Sequence, residues 1–173
     1  MRLFTALWPP ADVLDALDGA VAALGIAELP GWRRIPRERW HLTLAFHGDD
    51  DPDRRAAVLE ERLAGAIAPR LRLAGSGSFP GVLWVGLETA DPPALDALVA
   101  GAGGDPAGFV GHVTLARRSG RGRDRPAPAD LPPGPCWTPE EVLLVASEQD
   151  ATGLRYRPVY RARLRPPRTG TGG

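Results

Sequence analysis

Apolar residues fall into short alternating runs and longer helical stripes along most of the chain. Residues 2 to 8 predict a first strand. Pro9 and Pro10 then open a helix over about 11 to 24, with Val13, Leu14, Leu17, Val21 and Leu24 on one face and Gly25 as its stop. Gly31 to Pro36 reads as a short extended segment closed by proline, followed by a strand over 41 to 47. Asp51 and Pro52 form an N-cap and first turn for a helix to about 68, with Leu59, Leu63 and Ile67 spaced four apart. Arg70 to Ala74 alternates polar and apolar, Ser76 to Gly81 reads as a turn, and Val82 to Leu87 as another strand. A short helix from Asp91 and Pro92 to about 100 uses Leu95, Leu98 and Val99, and the glycine-rich run 101 to 108 leads to a strand over 112 to 117. Residues 118 to 135, rich in Arg, Pro and Gly, lack any period and predict a long loop. Strands over 141 to 147 and 154 to 164, turning at Gly153, close the chain, and residues 166 to 173 predict a disordered tail.

Helices and strands alternate, but pairs of strands also follow one another directly. That order predicts an α+β fold with antiparallel or mixed sheets rather than a doubly wound parallel one. Within it one hexapeptide occurs twice, as His41-Leu42-Thr43-Leu44-Ala45-Phe46 and as His112-Val113-Thr114-Leu115-Ala116-Arg117. Each His has a Thr two residues later, so on a strand the two side chains share a face about 6.6 Å apart, with Leu or Val facing a core behind them. The copies lie about 70 residues apart, each within a strand-and-helix half. This predicts two similar lobes in one domain over 1 to 165, each offering a His/Thr strand to a shared cleft.

Composition narrows the chemistry. With 173 residues, 43% hydrophobic and 24% charged, the chain is sized for one globular domain with a real core. No apolar run is long enough to span a bilayer, and the opening residues are broken by proline too early for a signal peptide, so a cytoplasmic protein is expected. The single Cys136 excludes an internal disulfide and a cysteine zinc site, and no basic or His neighbour in sequence activates it. Formal charge is zero, and every basic side chain is arginine. No whole-molecule field draws in nucleic acid, so local placement of charge has to carry any such argument.

A histidine pair facing one cleft suits phosphoryl or acyl transfer, one imidazole as base and the other as acid near neutral pH. Threonine hydroxyls beside them can donate hydrogen bonds to phosphate oxygens as charge develops. No metal or other cofactor is required by this scheme. His47 lies six strand residues from His41, about 20 Å away, too far to share a metal ion, and is expected to be a strand-end residue on the same face. Phe4 could stack on a base, but core packing is its expected role. Arg118, Arg121, Arg123 and Arg125 form a basic run that could reach RNA phosphates or simply be a solvated loop.

On these residues the chain resembles the two-histidine (2H) phosphoesterases, and specifically the RNA 2',3'-cyclic phosphodiesterase family historically called 2'-5' RNA ligases. The family's paired His-x-Thr motifs match His41/Thr43 and His112/Thr114, and similarity extends from Arg2-Leu3-Phe4-Thr5-Ala6 through Ser78-Phe79-Pro80 and Val82 to Gly86, to Glu141 to Ser147, Gly153 and Tyr156. The resemblance implies a bilobal, pseudo-twofold α+β fold, two sheets flanked by helices around a central cleft. It implies metal-independent opening of a terminal RNA 2',3'-cyclic phosphate to a 2'-phosphomonoester. His41 and His112 would be catalytic, with His112 as base and His41 as acid, and Thr43, Thr114 and Arg117 would bind phosphate. Strand alternation opposes the last of these, since 112, 114 and 116 share a face and 117 should point away unless the strand ends or bulges. Gly111 stands where the family usually has proline, and Arg39 and Trp40 where it often has asparagine. Expected partners are RNA ends or nucleoside 2',3'-cyclic phosphates, bound by a monomer away from membranes. Alternatives are a 2H-type phosphodiesterase acting on 2',5'-linked oligonucleotides or sugar-nucleotide cyclic phosphates, or an RNA-end binding module without turnover. Nothing in the sequence offers a P-loop or a lysine to be adenylated, so ligation is expected only as reversal of hydrolysis.

Overall fold

The computed structural model describes residues 1–23, 25, 30–120, 131–151 and 153–167. The expectations for Leu24, for Arg121, Arg123 and Arg125, and for most of the tail fall outside these residues. Among the described residues the chain forms nine strands and three α-helices: β1 (Arg2–Leu7), α1 (Ala11–Ala23), β2 (Trp32–Arg34), β3 (Leu42–Asp49), α2 (Pro52–Arg62), β4 (Leu71–Phe79), β5 (Val82–Thr89), α3 (Pro92–Gly101), β6 (His112–Arg118), β7 (Cys136–Trp137), β8 (Glu141–Asp150) and β9 (Gly153–Arg163).

Local signals account for most of these bounds. α1 ends at Ala23, ahead of Gly25, whose φ of 61° is the left-handed stop a glycine makes at no steric cost. α2 and α3 begin where Asp51 and Asp91 accept hydrogen bonds from the backbone N–H groups of Arg54 (2.8 Å) and Ala94 (3.2 Å), each with proline in the first turn. α2 stops at Arg62, short of the expected 68, because Gly65 turns left-handed at φ 73° and leads Ile67 into a bridge with Arg165. β4 also departs from expectation. It runs straight through Ser76, Gly77 and Ser78, where a turn was predicted, and pairs them with Val85, Trp84 and Leu83. Gly77 belongs in this strand because the Trp84 indole lies over it; a Cβ there would sit 2.1 Å from the ring.

All strand pairs among the described residues are antiparallel, in the order β7-β4-β5-β6-β3-β1-β8-β9, with β2 added to β6. The fold is α+β, as expected. The two sheets foreseen from the sequence meet edge to edge at Leu42–Val113, so the ladder is continuous. Along that order four strands lie on either side of this junction, with β2 as the ninth beside β6, and the two motif strands, β3 and β6, are the central pair. Val13, Leu17 and Val21 of α1, Leu59 of α2, and Leu95, Leu98 and Val99 of α3 join Leu3, Leu7, Leu42, Leu44, Val113 and Leu115 in one core. A smaller cluster of Phe4, Ala6, Leu143 and Val145 packs with Trp8 and Tyr156 on the other face of β1 and β8. No described helix is long and apolar enough to cross a membrane.

Candidate active site

The sheet face left open by the helices holds a cleft of about 730 Å³, and both motifs line it: His41, Thr43 and Phe46 from one, His112, Thr114 and Arg117 from the other. Every residue singled out for the site in the sequence therefore reaches one cavity. Arg117 does so because β6 bulges. Its register against β5 slips between Leu83 and Trp84, so that Thr114 pairs with Trp84 and Ala116 with Leu83. One extra residue reverses the alternation beyond it: Leu115 and Ala116 are both buried, and Arg117 returns to the His112/Thr114 face.

β3 makes the same irregularity at the same point of its copy. Thr43 pairs with Ala6 and Ala45 with Thr5, which leaves Leu44 as the extra residue. Leu44 and Ala45 are both buried, and Phe46, 80% exposed, emerges into the cleft. The cleft-facing positions of the repeat are thus one, three and six. A second slip near His47 completes the reversal. His47 does not share a face with His41 as expected. It lies behind the sheet, 3.4 Å from the buried Thr5 hydroxyl and against Gly103. Burial, then Arg55, lowers its pKa, and Asp50 opposes them.

Both imidazoles are held alike. His41 Nδ1 lies 2.6 Å from the Arg39 carbonyl oxygen, and His112 Nδ1 lies 2.7 Å from that of Val110. A carbonyl only accepts, so each Nδ1 carries the proton and donates it, leaving Nε2 as the nitrogen available to a ligand. Gly111 is required just before His112, since a Cβ there would lie 2.8 Å from Leu87 Cβ. Among the described residues neither Thr43 nor Thr114 spends its hydroxyl on a protein partner, so both can serve a ligand.

Their surroundings differ. The His41 ring stacks on Trp8 at 4.9 Å and touches Phe4 and Tyr156, each at 5.1 Å. Phe4, core-like at 4% exposure, also forms part of the cleft wall. Enclosure by these rings lowers the His41 pKa to about 4; the Arg39 carbonyl bond pulls the other way, and positive charge at His112 and Arg117 adds to the depression. His112 is bounded by Phe79 at 5.1 Å and Trp84 at 5.9 Å. Tyr156, Trp8 and Arg33 were not foreseen as neighbours of the site. Alternation along residues 154 to 164 could have marked Tyr156 as one-faced, but not which face.

Chemically, the cleft offers two imidazoles with free Nε2 atoms, two open hydroxyls and several arginines. Its described lining contains no carboxylate or thiolate, so the donor set suits an anion rather than a divalent cation. These are the features of a two-histidine phosphate-handling site on an antiparallel α+β frame.

Comparison with known proteins agrees. Residues 7–84 match the model of the LigT-like phosphoesterases. An RNA 2',3'-cyclic phosphodiesterase of Thermus thermophilus is 35% identical, the match covering 95% of this chain and 91% of that protein. Among solved structures, TT0787 of T. thermophilus superposes with a TM-score of 0.70 at 29% identity, covering 96% of this chain and 99% of that one. E. coli LigT complexed with phosphate gives 0.73 at 25% identity, with 94% and 96% covered. E. coli LigT complexed with 3'-AMP gives 0.69 at 26%, with 94% and 97% covered. The chain belongs to the LigT-like phosphoesterase family of the 2H superfamily.

Proposed function

We propose that this protein hydrolyses terminal RNA 2',3'-cyclic phosphates to 2'-phosphomonoesters, using His41 and His112 as an acid/base pair without a metal ion. The observation that carries this reading is the matched pair of imidazoles on one cleft, each with Nδ1 tied to a backbone carbonyl two residues back. The name of the T. thermophilus relative and the 3'-AMP bound by E. coli LigT support the choice of substrate.

In this reading the cyclic phosphate lies between the two Nε2 atoms, held by Thr43, Thr114 and Arg117. His112 accepts a proton from water as its oxygen bonds to phosphorus. The P–O3' bond breaks, and His41 gives its proton to the departing O3', leaving the phosphate on O2'. The two threonine hydroxyls and the Arg117 guanidinium donate to the non-bridging oxygens, whose charge grows as the fifth bond forms. Burial makes the His41 imidazolium a strong acid. Burial, the main cause of the depression, keeps the free imidazole uncharged near neutral pH. The acid role of His41 therefore requires the bound phosphate's negative charge to raise its pKa. The protein acts as a two-lobed monomer over 1–165, in the cytoplasm.

Incubation with a nucleoside 2',3'-cyclic phosphate in excess chelator tests the proposal. Accumulation of the 2'-phosphate, lost in both His41→Ala and His112→Ala, is the expected result. No phosphomonoester from the native protein, or full activity in both variants, would overturn it.

A further inference from the structure

The cleft is charged out of proportion to the reacting group. The whole chain balances 21 basic against 21 acidic side chains, yet Arg2, Arg33, Arg39, Arg117 and Arg118 line this one cavity and no Asp or Glu accompanies them among the described residues. Away from the cleft, arginines pair with carboxylates. Arg34 pairs with Asp18, Arg37 with Asp15 at 2.5 Å, Arg72 with Glu88 at 2.5 Å, and Arg157 with Glu148 at 2.6 Å. The segregation is sharpest on β2, where neighbouring residues face opposite ways: Arg34 goes to its carboxylate and Arg33 to the cleft.

Arg33 stands directly across from Arg117 in the β2–β6 ladder. Opposed residues of antiparallel strands have Cβ atoms about 5 Å apart, and like charges placed so repel each other. Neither arginine has a carboxylate partner among the described residues. Two adjacent guanidinium groups without carboxylate partners at the edge of the cleft repel each other mildly in water and gain most when an anion sits between or beside them. A single cyclic phosphate carries one negative charge, which the two threonines and Arg117 already serve. Arg33 is thus left for a second anion, and in a chain of nucleotides the nearest one is the next phosphodiester.

We propose that Arg33, opposite Arg117, forms a second phosphate subsite that takes the phosphodiester 5' to the reacting group, so that the cleft selects oligonucleotide ends over mononucleotides. This deepens the reading under Proposed function and rests on it for the identity of the reacting phosphate. Arg33 is a specificity-determining residue here, one nucleotide removed from the chemistry.

The test compares a nucleoside 2',3'-cyclic phosphate with a trinucleotide ending in the same group, for the native protein and for Arg33→Gln, which keeps the strand-compatible stem of an exposed residue. The native protein is expected to favour the trinucleotide in kcat/KM by roughly tenfold or more, the usual scale of one charge-assisted contact. Arg33→Gln is expected to reduce that preference about tenfold, and to flatten the salt dependence of trinucleotide binding by about 0.7 log units per log unit of salt, one phosphate contact on a single strand. Equal turnover of both substrates by the native protein, or an Arg33→Gln loss that is the same for both, would overturn the second subsite. Titration of the trinucleotide 2'-phosphate and the mononucleoside 2'-phosphate, read as affinity, carries the same comparison without turnover. Failure of the hydrolytic reading would then show as absent product with the affinity preference intact. Failure of the subsite would show as equal affinities.

Discussion

The two copies of the hexapeptide are alike in backbone and unlike in surroundings, and the difference falls on the two histidines proposed as acid and base. Each presents His, Thr and its sixth residue to the cleft through a bulge at its fourth residue, and each ties its imidazole Nδ1 to a carbonyl. Around His41, however, Phe4, Trp8 and Tyr156 form an apolar cage, and the sixth position is Phe46. Around His112 the aromatic contacts are fewer, and the sixth position is Arg117 beside Arg33. A symmetric frame holding two identical histidines would place them in identical protonation states, whereas an acid/base pair needs them unlike. Burial of His41 supplies a difference in surroundings, and the sixth position, Phe46 against Arg117, supplies one in charge.

Removing either histidine tests that comparison hardest. His41→Ala and His112→Ala are each expected to lower kcat by about three orders of magnitude or more, the range of a lost general acid or base. Circular dichroism should remain native. A loss confined to one of them would mean that the halves do not work as a pair.

Acid pH should separate the halves in stability. The folded protein depresses His41 to about 4, below its unfolded value of 6.5. As pH falls, the unfolded chain takes up the proton first. His41 therefore contributes full stability above pH 6.5, loses it progressively between pH 6.5 and 4, and adds no further change below. The expected loss is on the order of 3 kcal/mol, and urea midpoints at about pH 7, 5.5 and 4 would measure it. His41→Gln should remove most of that slope. A pH-independent urea midpoint between about pH 7 and 4 would show that the aromatic cage does not enclose His41 in solution.

Exchanging the sixth residues sharpens the contrast further. Arg117→Ala is expected to reduce kcat/KM about a hundredfold through the loss of a charge-assisted donor to phosphate. Phe46→Ala removes only hydrocarbon contact with Phe4, at 6.2 Å between ring centroids, and should cost less than about tenfold. Equal losses would deny the charge asymmetry. The smallest effect is expected at the support of the His112 half. Gly77→Ala drives a methyl group into the Trp84 indole beside His112 and should destabilise the fold by about 1–3 kcal/mol, measured as a shifted urea midpoint, with a modest fall in kcat.

How far these features were legible varied with the range of the interaction that decides them. The helix starts at Asp51 and Asp91 and the glycine stop at Gly25 are local chemistry, and the sequence displayed them openly. Period-two alternation revealed the His/Thr faces. It failed at Ser76 to Ser78, where small residues look like a turn until the Trp84 ring that needs the space at Gly77 is placed across the sheet. It failed again at His47 and left Arg117 in contradiction, because a bulge is a property of two strands in register and not of either alone.

The sequence by itself determined the candidate groups and their pattern: two histidines, each two residues before a threonine, on strands whose other face is apolar. Only the tertiary structure decided which neighbours those groups meet. One extra residue in each motif strand turns Phe46 and Arg117 into the cleft and, with the slip at His47, turns that histidine out of it. Packing from β1 and β9 brings Phe4 and Tyr156 around His41, and pairing with β2 sets Arg33 against Arg117. The physical reason is range. A side chain's type and its alternation are fixed within a few residues, whereas dielectric surroundings and the charge opposite are set by strands tens of residues away in the chain.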